Sequence, residues 1–120
     1  MIKKTAYKDA REFVTKDGSI IRELMHPAHH AAQNQSLAEA IVPLGTTTLL
    51  HKHHKTEEFY YILEGEGEMV LGGKTFKVIV GDTICITVNT SHQITATGDS
   101  DLRFLCHCSP AYSDDDTELL

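Results

Sequence analysis

The sequence has no apolar run approaching the roughly 20 residues that a membrane-spanning helix needs. No apolar stretch follows Lys3 and Lys4, so the N-terminus does not read as a signal peptide. Cysteine is scarce and odd in number: three residues are a poor basis for the disulfide framework of a secreted domain. Positive charge is also in short supply. Eleven Lys and Arg against 17 Asp and Glu leave a formal net charge of −6, which argues against nucleic acid or an anionic membrane surface as partner. There is no internal repeat, and no stretch shows a convincing 3.6-residue apolar period. These absences lead to the expectation of a cytoplasmic protein with reduced thiols. Its 120 residues are enough for one packed core and too few for two.

What is present is a series of short β-rich segments between turn signals. Lys16-Asp17-Gly18-Ser19 precedes an apolar run from Ile20 to Met25, and His26-Pro27 stops it. Tyr7 to Val14 fits a short helix or a strand. His29, His30 and Gln33-Asn34-Gln35 read as a surface loop, and Ser36 to Val42 as a strand. Thr46 to His53 and Glu58 to Leu63 are rich in β-formers. Glu68 to Leu71 and Thr75 to Val80 flank Gly72-Gly73, a strong hairpin signal because both positions accept positive φ. Ile84 to Val88, His92 to Thr97 and Leu102 to Cys108 complete the set. The acidic tail, residues 113–120, reads as solvated and weakly ordered. Turn signals at this spacing point to an all-β sandwich or barrel. The chain divides into residues 1–35, strands and a loop packing on the barrel or on a partner; residues 36–112, the barrel; and the tail.

The chemistry concentrates between Gly45 and Gly65. His51, His53 and His54 fall within four positions, followed by Glu57 and Glu58. Alternate strand residues share a face, so His51 and His53 project together and His54 away from them. Two imidazoles and a nearby carboxylate suit a borderline divalent metal. Alternation does not choose between the glutamates: Glu58, Tyr60 and Ile62 form one face, Phe59, Tyr61 and Leu63 the other, and both are apolar. His26, His29 and His30 read as surface residues. Cys106 and Cys108 flank His107; with Leu102 and Phe104 they read as one core-lining face, although a thiol there would approach any site inside the barrel.

Gly45, His51, His53, Glu58 and Gly65 satisfy G-x5-H-x-H-x4-E-x6-G, which resembles the first motif of the cupins. Their second motif, G-x5-P-x-G-x2-H-x3-N, is matched by Gly81 and His92. Thr87 stands for its Pro, Asn89 for its Gly and Ala96 for its Asn, which puts the shape of the loop before His92 in question. The resemblance runs from Gly45 to about Cys108. It implies a double-stranded β-helix (cupin, or jelly-roll, barrel) and a homodimer. It also implies a divalent transition metal (Fe, Mn, Zn, Ni or Cu) on His51, His53, Glu58 and His92, and selects Glu58 over Glu57. Tyr60, Met69, Phe76, Ile94, Phe104 and Cys106 are candidate walls of the pocket. Such a site fits a metal-dependent enzyme on a small oxygen-rich molecule, a dioxygenase-type oxidoreductase or an isomerase or lyase. A non-catalytic module binding a small ligand or the metal would use the same barrel.

Overall fold

The computed structural model describes Met1 and residues 3–120. Its strands are β1 (Arg11–Val14), β2 (Ile20–Met25), β3 (Ser36–Val42), β4 (His51–His53), β5 (Glu57–Glu64) and β6 (Gly67–Leu71). They continue with β7 (Lys74–Val78), β8 (Thr83–Ile86), β9 (His92–Ala96), β10 (Leu102–Ser109) and β11 (Thr117–Leu119). Helical structure is limited, among the described residues, to 3-10 turns at Tyr7–Asp9 and Asp114–Asp116, so none is long and apolar enough to cross a membrane. The undecided stretch before Val14 is a 3-10 turn followed by strand β1.

The strands form two antiparallel sheets, in the orders β1-β2-β3-β10-β5-β8 and β11-β4-β9-β6-β7. The all-β barrel expectation holds. Alternation decides what each strand buries. On β10, Leu102, Phe104, Cys106 and Cys108 point inward, against Ile62 and Tyr60 of β5 and Ala40 and Val42 of β3. Met69 of β6 and Ile94 of β9, Cα partners in the second sheet, close the core from the other side. On β5 the tertiary structure makes the choice that alternation left open: Glu58, Tyr60 and Ile62 are inside, whereas Phe59 and Tyr61 are exposed.

One feature differs from the sequence reading. The acidic tail is an ordered sheet edge, because β11 pairs with β4 in the register Thr117↔His53. The acid that matters is Asp116, whose carboxylate accepts the amides of Lys55 and Thr56, while Lys16 Nζ donates to the carbonyls of Asp114 and Thr117. Backbone pairing and these local contacts offset the charge that makes the tail look solvated. At the other end of the chain, β1 and β2 extend the first sheet beyond β3 and bring the Thr15–Ser19 turn to the mouth of the barrel, where Leu49 N donates to Asp17 O at 2.8 Å.

Candidate metal centre

His51 and His53 sit two residues apart on β4 and share an inward face. His92 opens β9 directly opposite His51 in the ladder. One ligand nitrogen from each of the three lies within 4.8 Å of the others. That is close to the roughly 4.2 Å span that two bonds of about 2.1 Å allow across one ion. All three side chains are buried, and Glu58, next along the chain on β5, brings Oε1 to 3.3 Å from His53 Nε2 and 3.8 Å from His92 Nε2.

The outer partners set the tautomers. His51 Nδ1 lies 2.8 Å from Leu49 O, and His92 Nδ1 2.9 Å from Thr90 O. A carbonyl only accepts, so both Nδ1 atoms carry the proton and both Nε2 atoms present lone pairs. His53 Nδ1 is 3.0 Å from Thr117 Oγ1, and that hydroxyl spends its single hydrogen on Ser113 O at 2.9 Å. Thr117 therefore accepts from His53, and the third Nε2 is also free. Three nitrogen lone pairs and a carboxylate oxygen converge, and two of these atoms, His92 Nε2 and Glu58 Oε1, are buried without a hydrogen-bond partner. Buried acceptors that converge in this way are satisfied by a cation, a proton or a water between them. The donor set fits a divalent transition metal.

Burial and the neighbouring His51 lower the pKa of His92 to about 4, so its ring is neutral at physiological pH and ready to ligate. Burial and Glu58 both push the Cys108 thiol up; it stays protonated and donates to Glu58 Oε2 at 3.3 Å. Burial and Glu58 likewise raise Cys106 and Tyr60. In the absence of a metal both thiols are neutral packing groups.

The loop before His92 departs from the motif in sequence and meets the same geometric need by other means. Asn89 adopts a left-handed conformation (φ 58°) that few residues other than Gly accept, and its amide donates to His53 O at 2.7 Å. A hydroxyl pair between Thr87 and Thr90, 2.7 Å apart, ties the turn that presents Thr90 O to His92.

A narrow cavity of about 50 Å³ opens beside this cluster. Tyr60, Phe104 and Cys106 line it, together with His51, His53, Glu58 and Cys108. Met69 and Ile94 do not reach it; they are fully enclosed by core packing between the sheets. Phe76 of β7 is 38% exposed on the outer surface. His54 points outward as expected and meets Glu118 at 3.0 Å. His107 also points out of the barrel, to Gln35. Of the histidines before β3, His29 is exposed as expected, but His26 and His30 are not simple surface residues. His26 lines the cavity with its ring held by Tyr112 O, and His30 is buried with Nδ1 accepting the His26 amide, because the loop folds across the barrel mouth.

Asp17, Glu23, Tyr112 and Thr117 also belong to the site, and local sequence signals did not reveal them. Asp17 reads as a turn residue, and it is one: Oδ1 accepts from Thr15 Oγ1, Ser19 N and Ser19 Oγ. That leaves Oδ2 directed at His51, 3.6 Å from Nε2. Thr117→Val is expected to weaken metal affinity by roughly 10- to 100-fold, since His53 loses the acceptor that orients it. Competition with a chromogenic chelator would measure this; unchanged affinity would mean that Thr117 serves only the tail.

The cupin domain family model matches residues 38–108. The chain is 54% identical over 117 residues to an uncharacterized protein of Methanocaldococcus jannaschii, covering 98% of this chain and 94% of that one. It is 42% identical over 64 residues to an oxalate-binding protein of Thermotoga maritima, covering 53% of each. Among solved structures, a predicted oxalate decarboxylase of Thermotoga maritima superposes with a TM-score of 0.75 at 27% identity, covering 88% of this chain and 96% of that one. The motifs, the two-sheet barrel and the family match agree, and this chain belongs to the cupin family.

Proposed function

We propose that this protein is a metal-dependent enzyme that acts on a small oxygen-bearing molecule by proton transfer, in the manner of an isomerase or lyase. The observation that supports it most is the convergence of three Nε2 lone pairs with Glu58 Oε1 beside the cavity. His51, His53, Glu58 and His92 would hold the metal, and the donor set admits Fe, Mn, Zn, Ni or Cu. Such a metal polarises a carbonyl or hydroxyl oxygen and lowers the pKa of bound water. The chain's own contribution is positioning. Tyr60 and Phe104 wall the cavity and exclude water, and Asp17 keeps Oδ2 free beside His51, where it can take a proton from a bound molecule and return it. A ligand-binding module is the second reading, favoured by the name of the oxalate-binding relative.

Elemental analysis of the purified protein beside a His51→Ala/His92→Ala variant tests the metal. Stoichiometric metal is expected in the first and loss of it in the second; full metal in the variant overturns the assignment. Turnover of small hydroxy-carbonyl compounds, dependent on metal and without oxygen uptake, is the expected activity. Oxygen uptake would move the protein to the oxidoreductases, and saturable binding without turnover to the binding modules.

A further inference from the structure

The cavity wall carries carboxylates besides Glu58. Beyond Glu58, the carboxylates of Asp17 and Glu23 line it, and no Lys or Arg does among the described residues. Glu23 projects inward from β2 beside Ile21 and is 7% exposed. Its Oε1 is buried with no hydrogen-bond partner. The groups that face it stand back: Arg11 Nη2 at 3.8 Å and His29 Nε2 at 4.0 Å, both on side chains at least half exposed. Arg11 is stacked on Phe13, its guanidinium carbon 4.9 Å from the ring centre. Asp17 is held by Thr15 and Ser19 through one oxygen and offers the other. A buried carboxylate in need of a donor is an uncommon thing for a wall to present, and it is costly unless something supplies one.

We propose that Asp17 and Glu23 form an acceptor wall that selects a small uncharged ligand bearing hydroxyl or amide hydrogens and rejects dicarboxylates. This rests on the metal-site reading above and names the substrate class of that site. A ligand bound at the histidines would turn its far end toward Glu23, and hydrogen-bond donors there would satisfy the orphaned oxygen. A second carboxylate in the same place would meet like charge, with no Lys or Arg on the cavity lining to answer it. Size does not make the distinction. About 50 Å³ holds on the order of four waters, enough for a compact dicarboxylate or for a hydroxyamide. Charge and donor count decide.

Oxalate and glycolamide are suitable probes: both can chelate through two oxygens, and only glycolamide is uncharged and carries donors. Titration calorimetry would give the ratio of their affinities for the wild type, Glu23→Gln and Asp17→Asn, each metal-free and reconstituted with Mn(II). Removing one wall charge is expected to raise the oxalate-to-glycolamide ratio roughly tenfold. Both substitutions are isosteric, and the two positions test the wall independently. A ratio unchanged in both variants overturns the proposal. Metal content measured on the same samples separates the two claims. Absence of bound Mn(II) counts against the metal site, while the ratio in the metal-free protein still judges the wall.

Discussion

Gly65→Ala is expected to destabilise the protein by about 3 kcal/mol or more, a large share of the roughly 5–15 kcal/mol that holds a domain of this size together. Gly65 closes the first motif with φ 82°, where an L-residue is strained by about 1–2 kcal/mol. A Cβ there would stand 2.5 Å from the carbonyl oxygen of Asp101 and 3.1 Å from Cα of Leu102. Both are backbone atoms at the start of β10, the strand shared by β3 and β5, so the clash cannot relax without moving that ladder. Gly73→Ala separates the two causes. Gly73 has the same φ of 82°, and a Cβ on it would meet nothing within 4 Å. It should cost only the conformational strain. Urea denaturation of the two variants would show the difference; equal midpoints would remove the steric argument.

Acidification is expected to destabilise the metal-free protein between about pH 6.5 and pH 4. The pKa of His92 falls from 6.5 to about 4 on folding, first through burial and then through the neighbouring His51. In that window the unfolded chain binds a proton that the folded chain refuses. Stability is therefore fully present above pH 6.5 and is lost progressively as pH falls toward the folded value. The loss is on the order of 3 kcal/mol at most for this one group. A metal on His92 Nε2 competes with the same proton, so the loaded protein should hold its stability to lower pH and then release metal. Thermal melts across the window, with and without metal, would check it. A metal-free melting temperature that does not change from pH 7 to 4.5 would contradict the buried neutral imidazole. An unshifted histidine would give no such change, because it binds the same proton folded and unfolded.

Part of the site was legible because its spacing is local. His51 and His53 must share a face on any strand, and the registers from Gly45 to Glu58 and from Gly81 to His92 resemble a family that holds a metal there. Asn89 shows how a departure in sequence can preserve a backbone conformation: Asn is among the few residues that tolerate the left-handed region, so the loop keeps a turn without the motif's Gly. Other positions could not be read in this way. Met69 and Ile94 alternate inward like true wall residues, and only their depth in the core separates them from Tyr60 and Phe104. His26 and His30 looked like surface histidines because nothing local shows that their loop folds across the barrel mouth.

The sequence by itself determined the all-β class, most strand positions, the shared face of His51 and His53, and the outward direction of His54. All of these follow from the two-residue period of a strand and from turn chemistry, which act over a few residues. Alternation left the buried face of β5 open and the motif register pointed to Glu58; tertiary structure buried that face and set His92 opposite His51 across a ladder. It also made a sheet edge of the acidic tail, so that Thr117 could fix the His53 tautomer, and set Asp17 and Glu23 on the cavity wall. The physical reason is the same in each case. These contacts join residues far apart in the chain, and their partners are chosen by packing and by the need to satisfy buried polar groups, which no local pattern records.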